Sequence, residues 1–219
     1  MTRPIAIAAL SSVLILPAVA AGAPKPPKND NKVSIAASPT RVLYGRTSVI
    51  AGKITGKEHG GKTVTLQEDG FPFDTFKPVK TATSSGNGDY TFTVQPALNT
   101  RYRVVAKTTP DVTSPVALVQ VVARVSLSVS DGSVKRGTAV TFSGKLTPAH
   151  DGRTVQFQRR TSSGSWATLK TLTLADDGTT RSKYATTLKV RSTGVYRTIF
   201  KADADHGTGK SKARTVTVS

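Results

Sequence analysis

The stretch "TRYRVVAK" occupies Thr100–Lys107, and "GVYRTIFK" occupies Gly194–Lys201. In the first, Tyr102, Val104 and Ala106 alternate with Arg103, Val105 and Lys107. In the second, Tyr196, Thr198 and Phe200 alternate with Arg197, Ile199 and Lys201. A period of two is the pattern of a strand with one buried and one wet face. That the same Tyr-Arg pair returns 94 positions on (196 − 102) points to a duplicated unit.

The rest of the chain bears out the duplication. "VSIAASPTRVLYGRTSVIAGKIT" (Val33–Thr55) lies over "VSLSVSDGSVKRGTAVTFSGKLT" (Val125–Thr147) without a gap, "GKTVTLQ" (Gly61–Gln67) over "GRTVQFQ" (Gly152–Gln158), and "VKTAT" (Val79–Thr83) over "LKTLT" (Leu169–Thr173). Within each copy, Ser48, Ile50, Gly52 and Ile54, or Val140, Phe142, Gly144 and Leu146, mark one face of a further strand. "GNGD" (Gly86–Asp89) and "DDG" (Asp176–Gly178) supply turns. Thr, Val and Ser are abundant, and no apolar run keeps helical spacing. The expectation is an all-β chain of two tandem immunoglobulin-like β-sandwiches, over 32–124 and 125–219. "ALVQVVARVSLSVS" (Ala117–Ser130) crosses the boundary without Gly or Pro, which predicts a short, stiff junction at Ala123-Arg124.

Arg3, the uncharged run Ile5–Leu16, Pro17 and the string "AVAAGA" read as a cleaved signal peptide over 1–23, followed by a Pro/Lys-rich spacer over 24–31. A secreted or cell-envelope location follows, with no transmembrane segment expected in the mature chain. The chain has no cysteine, which excludes disulfides, thiol nucleophiles and thiolate metal sites. Its 31 Lys+Arg against 13 Asp+Glu leave +17 once Arg3 is removed (30 − 13). Outside a cell such a field favours anionic polymers: wall phosphates, acidic polysaccharide, lipopolysaccharide, anionic membrane or released nucleic acid, the last without sequence specificity. Solubility alone accounts for the same excess.

"LNTRYRVVAK" (Leu98–Lys107), preceded by Pro96, resembles the Leu-x-Thr-x-Tyr approach to strand F of fibronectin type III and other immunoglobulin-like domains. With "SGKLTPAHDGRTVQFQRR" (Ser143–Arg160) and "GSWATLKT" (Gly164–Thr171), the repeat resembles bacterial immunoglobulin-like repeats of secreted and surface proteins, over nearly all of 32–219. The resemblance implies a tyrosine corner at Tyr102, its hydroxyl bonded to backbone. Tyr196 lacks the Leu-x-Thr prelude.

Basic residues recur between copies: Lys53 and Lys145, Lys62 and Arg153, Lys80 and Lys170, Arg103 and Arg197, Lys107 and Lys201. If strand F pairs with strand C as in the resembled fold, Arg103, Lys107 and Lys80 share one sheet face, as do Arg197, Lys201 and Lys170. These six form a candidate surface for an anionic envelope polymer or polysaccharide. Duplication, and the need for charge on exposed strands, explain the same recurrence without a ligand. "DGFPFDTF" (Asp69–Phe76) places Phe71, Phe73 and Phe76 in a loop that has no counterpart cluster in the second copy, while Trp166 corresponds to Phe76. The loop is a candidate binding surface; the Trp either stacks on a sugar or packs at the end of the sandwich.

His59, His150 and His206 fall in predicted turns, and "ADADHG" (Ala202–Gly207) reads as a loop with too few oxygen ligands for calcium. No metal or other cofactor is expected. No G-x-S-x-G elbow, phosphate-cradling loop or enclosed acid points to an enzyme. The expectation is a non-enzymatic binding or spacer module. The alternatives are a carbohydrate-binding accessory module and, less well matched, a two-domain periplasmic chaperone.

Overall fold

The computed structural model describes residues 30–219. The expected signal peptide and residues 24–29 of the spacer lie outside the described residues. Asn31, the spacer's last residue, is buried, and its side-chain oxygen accepts the Glu58 N–H at 3.0 Å.

The first half contains strands β1 (Lys32–Val33), β2 (Ala36–Ser38), β3 (Arg41–Leu43), β4 (Ser48–Thr55), β5 (Thr63–Gly70), β6 (Lys77–Thr83), β7 (Asp89–Val94), β8 (Thr100–Ala106), β9 (Val112–Thr113) and β10 (Ala117–Val122). β4 pairs with β1, β2 and β7, and the facing sheet runs β3-β10-β8-β5-β6 with β9 beside β8. The opening segment thus starts in one sheet and crosses to the other, where β3 lies parallel to β10. This is an immunoglobulin-like sandwich.

The second half repeats it with β11 (Arg124–Val125), β12 (Ser128–Val129), β13 (Ser133–Val134), β14 (Thr138–Thr147), β15 (Thr154–Arg160), β16 (Trp166–Thr173), β17 (Ala175–Asp176), β18 (Ser182–Val190), β19 (Gly194–Phe200), β20 (Gly209–Lys210) and β21 (Arg214–Val218). β14 carries β11, β12 and β18, and the facing sheet runs β13-β21-β19-β15-β16. The two sets of sheets divide at Ala123, the single residue between β10 and β11.

Alternation fills each core. Ile50, Ile54, Leu66, Val104 and Tyr102 are buried between the sheets of domain one, and Phe142, Leu146, Phe157 and Tyr196 between those of domain two. Without disulfides these contacts carry the stability, each large apolar side chain contributing about 1.5–3 kcal/mol on burial. Phe157 and Tyr196 stack at 5.6 Å with Phe142 tilted against both.

Two devices recur. Tyr90 and Tyr184 donate their hydroxyls to the carbonyls of Ser34 and Ser126. Each phenol crosses the strand partner opposite it, Gly52 or Gly144, where a Cβ would lie 2.4 Å from the phenol oxygen. Only glycine leaves that path open. Tyr102 does not make the backbone bond that the resemblance implied; its hydroxyl neighbours the Thr100 side chain, and Tyr196 bonds no backbone group among the described residues. The phenol-to-carbonyl bond therefore sits on β7 and β18 rather than on β8 and β19. The second device is a serine in the broken last strand: Ser114 accepts the Val104 N–H and Ser211 the Thr198 N–H, both at 2.9 Å.

Candidate functional site

Strand pairing decides which basic residues share a face, because residues directly opposite on neighbouring strands point the same way. Arg103 lies opposite Gln67, and Arg197 opposite Gln158. Each Arg Nε–H donates to the opposing Gln carbonyl oxygen, at 2.7 and 2.9 Å. Each guanidinium then lies flat over an aromatic ring, Arg103 over Phe76 at 4.2 Å and Arg197 over Trp166 at 4.0 Å. The result is the same platform twice: an arginine held at Nε by glutamine and from below by a ring, with its terminal nitrogens directed away from the sheet. Partial burial pulls the Arg197 pKa down, but far too little for it to lose its charge at neutral pH.

Lys80 and Lys170 do not join these platforms. They lie opposite Leu66 and Phe157, both inward residues. Their ammonium groups accordingly cross to the other sheet, where Lys80 donates to the Thr93 carbonyl and Lys170 to the Thr186 hydroxyl (3.0 Å) and the Thr187 carbonyl (3.3 Å). Alternation was read correctly for β8 and β19, but the register of β6 and β16 was not visible in the sequence. Both of these strands shift register against their partners, between Leu66 and Gln67 and between Phe157 and Gln158.

Lys107 lies just beyond β8 and pairs with Asp111 at 2.9 Å, and Lys201 is exposed just beyond β19. Other recurrent bases are also paired: Lys53 with Asp89, Lys145 with Asp177 and Lys62 with Glu58. Much of the repeated charge is thus balanced locally, and Arg103 and Arg197 are the recurrent pair without an acidic partner among the described residues.

The aromatic loop is folded onto the same sheet face. Phe71 and Phe73 meet edge to face at 5.8 Å, and Arg101 lies over Phe73 at 4.1 Å. Phe73 adopts φ 71°, a conformation that costs a non-glycine residue about 1 kcal/mol or more and is held here by these ring contacts. Beside Phe71 is a depression of about 500 Å³ lined by Glu68, Asp69 and Asp74. Its lip is therefore acidic. Trp166 lies under Arg197 on the outer sheet face and does not cap the end of the sandwich.

A second constellation joins the two domains. The loop 201–208, between β19 and β20, rests on domain one. Asn99 N–H donates to Asp205 O at 2.9 Å, Asn99 Nδ2 to Ala204 O at 3.2 Å, Arg41 Nη2 to Thr208 O at 2.8 Å, and Gly207 N–H to Val121 O at 2.7 Å. His206, 1% exposed, bonds the Ala97 carbonyl through Nε2 at 2.9 Å. His150, on the β14–β15 turn, packs 5.0 Å from His206. Asp203 and Asp205 complete the group, with the ligating atoms of all four residues within 4.8 Å of one another. Burial and the adjoining Asp205 carboxylate push the Asp203 pKa up. The sequence placed His150 and His206 in turns, and they are in turns, but both are buried. The alternating Asp-x-Asp-His of Asp203–His206 was the signal available.

The sequence matches no protein-family model and no curated protein. Among solved structures, the chain is similar to a crystal structure of bovine butyrophilin at 10% identity and a TM-score of 0.48, over 87% of this chain and 99% of that one.

Proposed function

We propose that this is a secreted, non-enzymatic module of the extracellular space or cell envelope, akin to bacterial immunoglobulin-like and fibronectin type III-like repeats, that attaches to acidic polymers through its two arginine platforms. The observation that carries the reading is the repeat of Arg103 on Phe76 and Arg197 on Trp166, each steered by a glutamine. A guanidinium fixed in this way presents its remaining N–H groups as a fork suited to phosphate, sulfate or carboxylate, with little ordering left to do on binding. Two such forks on a joined pair of domains suit a ligand with repeating charge, because the second contact becomes intramolecular. No helix among the described residues is long and apolar enough to cross a membrane.

The test is binding of a soluble acidic polysaccharide and of a poly(glycerol phosphate) across a salt series. Replacing Arg103 and Arg197 together by Gln should weaken binding roughly ten-fold, the scale of one charge-assisted hydrogen bond lost. Replacing the exposed Arg136 and Arg191 should weaken it only by the change in net charge, an effect that fades over a Debye length of about 8 Å at physiological salt. Equal losses in the two double variants would reduce the platforms to part of a diffuse field. A second reading, contact with neutral carbohydrate, is favoured only at the depression beside Phe71, where carboxylates adjoin an aromatic ring. Salt-insensitive binding of a neutral polysaccharide, lost in Phe71→Ala, would support it.

A further inference from the structure

We propose that His150, Asp203, Asp205 and His206 form a structural site for a zinc-class divalent cation, which fastens the loop 201–208 that joins the two domains. The site rests first on the tautomers of the two histidines. A carbonyl oxygen only accepts, so the ring nitrogen facing it carries the proton. His150 therefore donates from Nδ1 to Pro148 O at 2.9 Å, and His206 from Nε2 to Ala97 O at 2.9 Å. The remaining nitrogens, His150 Nε2 and His206 Nδ1, are buried and have no hydrogen-bond partner. Each side chain is more than nine-tenths buried, 7% and 1% exposed. Pinning one imidazole nitrogen to a carbonyl while the other points at a common centre is the usual arrangement around a metal-bound histidine.

What the free nitrogens face supports the same assignment. His150 Nε2 lies 3.4 Å from Asp203 Oδ2, and His206 Nδ1 lies 3.3 Å from Asp205 Oδ2. These are long for charge-assisted hydrogen bonds, which run about 2.7–2.9 Å. They match the edge of a tetrahedron around zinc, where ligands about 2.0–2.1 Å from the ion lie about 3.3 Å apart. The widest separation in the group, 4.8 Å, must contract by a side-chain rotation. The two carboxylates also adjoin each other, and Asp203 is only 6% exposed, a position that like charges occupy together when a proton or cation lies between them.

The ligand set narrows the ion. Two imidazoles and two carboxylates suit zinc and its first-row neighbours, whereas calcium takes six to eight oxygens. Four protein ligands leave no open position, so the role is structural. Arg153 Nη2 also approaches Asp203 Oδ2, at 3.6 Å, but its side chain is 61% exposed and free to swing out. The opposite carboxylate oxygen, Asp203 Oδ1, accepts the His206 backbone N–H at 2.9 Å and holds the loop turn in either case.

The test uses the full secreted chain, stripped with chelator and titrated with Zn²⁺ or Co²⁺. One ion per chain should bind, the Co²⁺ form should show the intense visible absorption of a four-coordinate N/O site, and the unfolding temperature should rise on loading. Asp205→Asn, which keeps shape, and His150→Gln should each weaken affinity at least about ten-fold, the scale seen for partners of metal ligands. His59→Gln, at the corresponding turn of domain one, should leave affinity unchanged. No saturable binding by the parent, unchanged affinity in both site variants, or tighter binding of Ca²⁺ than of Zn²⁺ would each overturn the assignment. If Asp205→Asn fails to fold, the His150→Gln result and the parent's cobalt spectrum still decide it.

Discussion

The same end of each domain is built from the same turns and put to different use. In domain one the β4–β5 turn carries His59, whose Nδ1 bonds Gly56 O on the exposed surface, and Glu58 closes the end by accepting Thr109 N–H and pairing with Lys62. In domain two the corresponding His150 is buried, and the Lys62 counterpart, Arg153, finds its acid on the opposite loop, at Asp203. The cause is loop length: 107–111 separate β8 from β9, whereas 201–208 separate β19 from β20, three residues more (8 − 5). The longer loop brings Asp203, Asp205 and His206 with it and reaches domain one. Duplication supplied two equal ends, and one insertion made one of them a joint.

The sharpest way to break the comparison is at Gly209. The gap-spanning serines Ser114 and Ser211 correspond, so Gly209 occupies the place of Val112. A Cβ at Gly209 would lie 2.3 Å from the Ala123 carbonyl, a backbone atom at the domain boundary. Gly209→Val should therefore cost about 3 kcal/mol or more, since neither neighbour can rotate away. Small-angle scattering should show the two domains swinging apart. The reverse exchange, Val112→Gly, loses a half-buried side chain and adds backbone freedom, about 1–2 kcal/mol, and should leave the scattering profile unchanged. If Gly209→Val leaves the profile unaltered, the loop does not hold the joint.

A smaller effect separates Asn99 from Thr193. Both precede a Tyr-Arg strand and both accept an N–H from the last strand of their sheet: Asn99 Oδ1 from Val121 at 2.9 Å, and Thr193 Oγ1 from Val218 at 3.0 Å. The first bond is buried beneath domain two and the second is exposed. Asn99→Ala strands a buried donor and should cost about 1–3 kcal/mol, while water replaces the partner in Thr193→Ala and the cost should stay below about 1 kcal/mol. Equal losses in denaturant unfolding would mean that the joint does not exclude water.

These positions show what the sequence could and could not reveal. The period of two, the gapless overlap of Val33–Thr55 with Val125–Thr147 and the unbroken run Ala117–Ser130 carry the architecture, because each is a local constraint repeated in the chain. Arg103 and Arg197 were legible as outward, repeated residues for the same reason. Lys80 and Lys170 were misplaced because register across a bulge depends on the partner strand, which no local pattern encodes. Gly52 and Gly144 were seen only as members of an alternation; their reason, a phenol lying across each, needs the opposing strand. The histidine-aspartate group escaped because its members come from two loops and its burial comes from the neighbouring domain.

The mildest comparison concerns the tyrosines, where the two domains should behave alike. Tyr90→Phe and Tyr184→Phe each remove one hydroxyl bond to a carbonyl across the sheet and should each cost about 0.5–1.5 kcal/mol. Tyr102→Phe, which strands no backbone carbonyl, should cost less than either. Alkaline pH adds an independent check. Burial pushes Tyr184 up to about 12 and raises Tyr90 as well, so both folded-state values lie above the ordinary phenol value of about 10. A pKa raised by folding means that the fold favours the neutral phenol. The associated stability is complete below pH about 10, where neither state ionises, and is lost as pH rises through the folded value. The parent should therefore weaken between pH about 10 and 12, and a double Phe variant, lower in stability at neutral pH, should weaken less over that window. A double variant that loses stability there as steeply as the parent would show that these phenols do not carry the alkaline transition.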